Sequence, residues 1–191
     1  MAQYNKNNAA QTQMSERQLL ESKYNNARSN LLMTVVLTVV NILLLVSNTN
    51  RYFLYSAYIP FLATDMALYF GGTHSAGVYV SLGTPDFLPV GVFAAALFCI
   101  AAGIVILYVL SWVLSKKKAG WLTFGMIFFV IDTLAMVALN GIVMESILDY
   151  VIHAWVVISL IGGVSAHKKL MNLPEEVVPA SGNAAPTETI E

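Results

Sequence analysis

The sequence predicts an all-α integral membrane protein, a four-transmembrane-helix bundle with an outward-facing aromatic short helix between spans one and two. Of the 191 residues, 57% are hydrophobic and only 11% are charged. The charges crowd into the N-terminal segment, a lysine triplet and the C-terminal tail. A bilayer core about 30 Å thick requires roughly 20 apolar residues per spanning helix, and several windows qualify. The hydrophobic content therefore indicates membrane spans rather than a large water-soluble core.

The spans are expected within a single membrane domain, 15–170, at about 31–47, 87–114, 120–140 and 147–165. The segment 1–14 is rich in Asn and Gln, and 171–191 combines prolines and small residues with glutamates. Both compositions predict disorder, the second as an acidic cytoplasmic tail.

Span one carries two local signals. Ser15 and Gln18 have capping-box spacing, so a helix is expected to begin there and continue into the span without a break. Thr34, Thr38 and Asn41 fall on one helical face, which is typical of a helix that packs against protein rather than lipid.

The aromatic segment 51–72 is apolar enough to resemble a further span. Pro60 argues against a straight helix across it, because proline is tolerated only in the first turn of a helix. A short helix from about Pro60 to Phe70, closed by Gly71 and Gly72, would be roughly 16 Å long, too short to cross. We therefore expect an interfacial or re-entrant segment.

The distribution of basic residues separates four spans from five, because cytoplasmic loops carry an excess of Lys and Arg. With four spans, nine of the ten Lys and Arg lie on one side, and Arg51 alone lies opposite. With a fifth span, only six of the ten Lys and Arg would lie on one side. The count favours four spans in the cytoplasmic membrane, with both termini cytoplasmic.

Two ionisable residues interrupt the apolar spans. Asp132 lies in span three, with Gly141 placed to end that helix, and His153 lies in span four. Both are about 10–12 Å below the connecting turn, so they are expected to meet at one level as an intramembrane polar pair. The pair would either hydrogen-bond to hold two helices in register or line an outward-facing polar cavity.

Asp149 has two interpretations. Ser146 precedes it by three residues, which is the spacing of a capping motif at the start of span four and leaves Glu145 in the loop. Alternatively, Asp149 joins Asp132 and His153 in the polar cavity.

A metal site would need a third ligand besides Asp132 and His153, for which Asp65, Asp149 and His74 are candidates. No metal-binding spacing supports such a site, so we predict no metal and no cofactor. His74 is expected to be a surface residue of its loop.

Small residues at four-residue intervals in span two predict a stripe for close helix packing: Gly91, Ala95, Cys99 and Gly103. Cys99 is expected to be a small buried residue within it. As the single cysteine, it excludes an intrachain disulfide and a cysteine-based zinc cluster.

Four segments (ARSNLLMTVVLTVVNILLL, RYFLYSAYIPFLATDMALYF, IDTLAMV and DYVIHAW) together resemble those of small multispanning membrane proteins of Gram-positive bacteria. The resemblance covers about 24–169. It implies the span count and no particular activity.

Three functions are compatible with these patterns. The first is a non-enzymatic accessory, assembly or sensing protein whose partners are the lipid bilayer and other membrane proteins or a second copy. The second is a small oligomeric transporter or binding protein for a cation or proton, using Asp132 and His153. The third is a membrane-embedded enzyme acting on a lipid or peptide at the outer face. No basic stripe with interleaved aromatics points to nucleic acid.

Overall fold

The structure, a computed structural model, describes residues 16–49, 51–73 and 88–173, and it is helical throughout, with no strand in those ranges. It contains α1 (Glu16–Val46), α2 (Tyr58–Phe70), α3 (Val90–Leu114), α4 (Gly120–Asn140) and α5 (Ile147–Asn172), with a 3-10 turn at Met144–Ser146. By length and composition, α1, α3, α4 and α5 can each cross a membrane. The four predicted long apolar helices are therefore confirmed. The predicted disordered segment 1–14 and residues 174–191 of the predicted disordered tail 171–191 lie outside the described residues. Residues 171 and 172 belong to α5, so the prediction of disorder is wrong for them.

The helix boundaries agree closely with the sequence. α1 runs unbroken over 31 residues, as expected, although its predicted cap Ser15 is outside the described residues. α4 ends at Asn140, and Gly141 adopts a φ of 67°, which a glycine accommodates without strain. α5 extends beyond the predicted end at 165 because the following residues, AHKKLM, are mostly strong helix formers.

The short helix α2 has 13 residues and begins two positions before Pro60. Pro60 is thus the third helical residue, a position where the missing N–H breaks no intrahelical hydrogen bond. Gly71 ends the helix, and Gly72 turns the chain with a φ of 76°.

The helices α1 and α5 are antiparallel neighbours. Asn30 Nδ2 donates to Ser159 Oγ at 2.5 Å, and the Tyr24 and His167 rings lie 4.9 Å apart between centroids. α3 also reaches this region, because the Tyr24 hydroxyl donates to the Ser115 carbonyl at 2.7 Å. We call the end of the bundle that holds Tyr24, Ser115 and His167 the basic end, because lysines 116–118 and 168–169 adjoin it.

The opposite end, which we call the aromatic end, contains the last turn of α1, residues 51–57, the end of α4 and the start of α5. Arg51 lies here. The structure therefore brings together at one end the basic segments that the charge count placed on one side.

Polar and apolar side chains are arranged opposite to the pattern of a water-soluble protein. Each long helix exposes large apolar side chains, as Leu43, Ile106, Leu134 and Ile158 illustrate with exposed fractions of 57–67%. Buried polar residues occupy the interior: Thr34, Thr38, Asn41, Ser56, Thr64, Ser111, Ser115, Asp132 and His153. The predicted polar face of α1 is thus confirmed as an internal, protein-packed face.

Candidate functional site

The start of α2 is buried inside the bundle, where Asp132 of α4 caps it. The carboxylate accepts the Tyr58 N–H at 2.7 Å through Oδ2 and the Ile59 N–H at 2.8 Å through Oδ1. Asp132 is completely buried. A carboxylate that accepts two amides at a helix N-terminus also opposes the positive end of the helix dipole. The interaction therefore fixes α2 to α4.

Every backbone N–H group at the start of α2 has an identified hydrogen-bond acceptor. An α-helix leaves its first four N–H groups without an intrahelical acceptor. Here Ala57, the N-cap residue, has no side-chain acceptor of its own, and its N–H donates to Thr38 Oγ1 at 2.7 Å. Tyr58 and Ile59 donate to Asp132, and Pro60 has no N–H. Side chains of α1 and α4 thus supply the whole cap.

Asn41 of α1 holds the chain that leads into α2. Its amide nitrogen donates to the Phe53 carbonyl at 2.7 Å and to Ser56 Oγ at 2.8 Å, while its Oδ1 accepts the Phe53 N–H at 2.8 Å. Non-helical backbone inside a bundle must satisfy its polar groups on the protein itself. Asn41 does this for both backbone groups of Phe53, and it also binds the Ser56 hydroxyl.

His153 does not hydrogen-bond to Asp132, contrary to one expectation from the sequence. Its Nδ1 contacts the Asp149 carbonyl at 2.9 Å within α5, and its ring stacks on Phe129 with centroids 5.3 Å apart and planes 4° apart. Both Asp132 oxygens are already bound to amides of α2. The His153 Nε2 atom is buried and has no hydrogen-bond partner in the described part of the chain. The two residues line the same interior, but they do not form a hydrogen-bonded pair.

The capping motif predicted at Ser146 and Asp149 is wrong in its hydrogen bonds. Ser146 is the N-cap of α5, yet its side chain makes no capping hydrogen bond. Its N–H donates instead to the Val143 carbonyl at 3.1 Å within the 3-10 turn, so it is not available to the Asp149 carboxylate. The Asp149 Oδ1 atom is buried without a hydrogen-bond partner among the described residues.

A cavity of about 240 Å³ at the aromatic end brings Asp149 together with aromatic side chains. Its lining residues come from the segment before α2 and from α2, α4 and α5: Tyr52, Tyr58, Phe61, Met136, Asn140 and Asp149. The Tyr58 hydroxyl donates to Asn140 Oδ1 at 2.8 Å, and the Tyr52 and Phe61 rings meet edge to face at 5.2 Å. These contacts hold the aromatic walls in place.

The tyrosines near this cavity are neutral over the physiological pH range. Tyr52 is 38% exposed, yet burial of its hydroxyl end raises its pKa to about 12, and the nearby Asp149 charge acts in the same direction. Burial also raises the pKa of Tyr58. The cavity therefore combines one carboxylate with uncharged aromatic rings.

The remaining candidates do not complete a metal site. Asp65 lies partly buried on α2, and His74 is outside the described residues. In the ranges that the structure covers, no group of three or more His, Cys, Asp and Glu is arranged to hold a metal ion. The expectation of no metal remains a prediction.

The small-residue stripe of α3 does not pack against another helix within the described residues. Gly91, Ala95 and Cys99 are exposed, and the space beside Gly91 and Gly103 is open. At about 100° per residue, the stripe covers a different face from the buried residues Ala94, Ala101, Tyr108 and Ser111. The expectation that Cys99 is buried is therefore wrong.

Sequence reasoning missed the aromatic walls Tyr52 and Tyr58 and the role of Asn140 and Asn41. The available signal is the concentration of aromatics in 51–61, which predicts a lipid interface rather than the walls of a cavity. No protein-family model, curated protein or solved structure significantly matches this chain. The fold and site thus define a class: a helical protein with four long apolar helices, compatible with a multi-pass membrane protein.

Proposed function

We propose that the protein is a multi-pass protein of the cytoplasmic membrane and that it acts without catalysis, as an accessory, assembly or sensing protein. The single observation that carries this proposal is the position of Asp132. The buried carboxylate, on which a transporter or enzyme would depend, is committed to the first amides of α2. Asp132 then has a structural task, which is to anchor an aromatic re-entrant segment in the bundle.

The arrangement of the surface supports the membrane location. Large apolar side chains are exposed around the long helices. Contact of these side chains with water would be unfavourable, whereas contact with lipid would not. Backbone inside the bundle at 53–59 is hydrogen-bonded by Asn41, Thr38 and Asp132, as membrane-buried irregular backbone requires. The basic end is assigned to the cytoplasm by the positive-inside rule, which leaves the aromatic end outside.

The location is tested by cysteine labelling in a Cys99→Ala background. Thr73→Cys and Lys117→Cys each introduce a thiol at an exposed position, one near the aromatic end and one at the basic end. In intact cells a membrane-impermeant maleimide should label the Thr73→Cys variant, and it should label the Lys117→Cys variant only after permeabilisation. The reverse pattern would overturn the orientation, and protein found in the soluble fraction would overturn the membrane location.

The absence of transport is tested in proteoliposomes. With a proton gradient or a sodium gradient, the reconstituted protein should give the same flux as empty liposomes. A flux above that background that disappears in Asp132→Asn would overturn the non-transport role and restore the cation- or proton-linked alternative.

A further inference from the structure

The cavity at the aromatic end is lined by a carboxylate that the hydrogen bonds of the surrounding described helices leave partly unpaired. Asp149 is one of its lining residues, and the Oδ1 atom of the Asp149 carboxylate is buried with no hydrogen-bond partner in the described ranges. The usual explanation, a capping box at the start of α5, does not hold because Ser146 N–H is bound to Val143. A buried carboxylate oxygen without a donor is costly, so a donor or cation at this position would be favoured.

The other walls indicate which kind of cation fits. Tyr52, Tyr58 and Phe61 are aromatic, and no lysine or arginine is among the described residues that line the cavity. Aromatic faces attract cations with a diffuse charge, and cages of such rings recognise substituted ammonium groups.

A small inorganic cation fits this lining less well. Such ions take several oxygen ligands at short distances. The described residues that line the cavity offer one carboxylate, and Asn140 Oδ1 already accepts the Tyr58 hydroxyl. Its volume of about 240 Å³ would hold several water molecules at about 30 Å³ each, which is more than a dehydrated metal ion needs.

We propose that this cavity binds an organic ammonium group, with Asp149 as the counter-ion and Tyr52, Tyr58 and Phe61 as the aromatic walls. The group belongs either to a lipid headgroup or to a soluble amine. The proposal goes beyond the membrane role, since a soluble ammonium compound would bind whichever way the chain is oriented.

The test measures choline binding to the full-length protein in an uncharged maltoside detergent, by saturation-transfer NMR of the choline methyl groups. The matched probe is 3,3-dimethylbutan-1-ol, which has the shape of choline without its charge. Choline should bind saturably, and the neutral isostere should bind at least about tenfold more weakly. Equal binding of the two probes, or displacement of choline by equimolar sodium, would overturn the proposal.

Variants locate the site. Asp149→Asn removes the charge, keeps the shape of the side chain and breaks no hydrogen bond of Oδ1 in the described ranges, so it should fold and should weaken choline binding by about tenfold. Tyr52→Leu, which removes one aromatic wall, should weaken binding as well. Glu21→Gln, an exposed carboxylate near the basic end, is the control and should bind choline as the wild type does. Unchanged binding in both Asp149→Asn and Tyr52→Leu would refute the site.

The source of the ammonium group is distinguished in nanodiscs. If phosphatidylethanolamine added to phosphatidylglycerol nanodiscs suppresses choline binding, the natural occupant is a lipid headgroup. If choline binds equally in both compositions, it is a soluble amine. A protein that keeps the expected cysteine-labelling pattern but binds no choline would disprove the ammonium site and leave the membrane role intact.

Discussion

Gly163 of α5 packs directly against Ala27 of α1, so closely that a methyl group at Gly163 would overlap the Ala27 side chain. Ala27 is completely buried, and Lys23 contributes backbone to the same contact. Small residues at such crossings allow two membrane helices to approach closely. This contact sets the distance between the first and last helices of the bundle.

Gly163→Ala is therefore expected to destabilise the protein, by about 1–3 kcal/mol, because the helices must move apart or the backbone must shift. Gly162→Ala is the matched control, since the space beside Gly162 is open and alanine favours a helix over glycine. The measurement is reversible unfolding in mixed detergent micelles. Equal stability of the two variants would show that α1 and α5 are not in close contact.

Asp132→Asn should lower the free energy of unfolding by about 1–3 kcal/mol, because an amide cannot accept both N–H groups and lacks the charge that opposes the helix dipole. Asp132→Ala should lower it further, since it leaves the buried Tyr58 and Ile59 N–H groups without an acceptor. Glu21→Gln, at an exposed carboxylate of α1, serves as the control and should change stability by less than about 0.5 kcal/mol. Thermal unfolding followed by circular dichroism distinguishes these cases, and an undiminished melting temperature in Asp132→Ala would contradict the capping role.

Thr38→Val and Thr34→Val form a second matched pair, because both threonines are buried on the same face of α1. Thr38 Oγ1 accepts the Ala57 N–H, so its loss leaves a buried donor unsatisfied and should cost about 1–3 kcal/mol. Thr34 Oγ1 only donates to the Asn30 carbonyl of its own helix, so Thr34→Val should cost less than about 1 kcal/mol. Hydrogen exchange at the Ala57 amide should accelerate in Thr38→Val alone. Comparable acceleration in both variants would argue against the contact.

Alkaline pH should weaken the fold through Tyr55, whose buried hydroxyl lacks a partner in the described structure and whose ring meets Trp155 edge to face. Burial raises its pKa to about 12, above the value of about 10 for an unfolded chain. The neutral form is favoured in the fold, so this contribution is intact below about pH 10 and is lost as the pH rises through about 12. Tyr55→Phe should leave stability below pH 10 nearly unchanged and reduce the loss above it, as measured by denaturant unfolding at each pH. An identical alkaline loss in the variant would exclude Tyr55 as its source.

The long helices were predictable because their signals are local. Apolar runs of sufficient length define α1, α3, α4 and α5, and Gly141 and Pro60 mark positions where backbone chemistry leaves few alternatives. The internal face of α1 was equally visible, because its polar residues repeat at helical spacing. These properties need no knowledge of the partner helix.

The site was less predictable because its partners are backbone atoms. Asp132 accepts hydrogen bonds from the backbone N–H groups of residues 58 and 59, which are more than 70 positions away. Because almost every residue has a backbone N–H group, no sequence pattern marks these two as its partners. His153 was matched to Asp132 by depth alone, and depth does not specify rotation about a helix axis. The spacing of Ser146 and Asp149 matches a capping box. The Ser146 N–H group that this motif requires is instead hydrogen-bonded within a short 3-10 turn.

The cap of α2 has a consequence for biosynthesis. The start of α2 lacks its acceptor until Asp132 has been synthesised, and α1 lacks its neighbour α5 until that helix is complete. Contacts between such distant parts of a chain form late, because the intervening segments must first be synthesised and brought together. The amides of residues 58 and 59 therefore remain without their acceptor until α4 has been synthesised, and α1 remains without its α5 contacts until α5 has been synthesised.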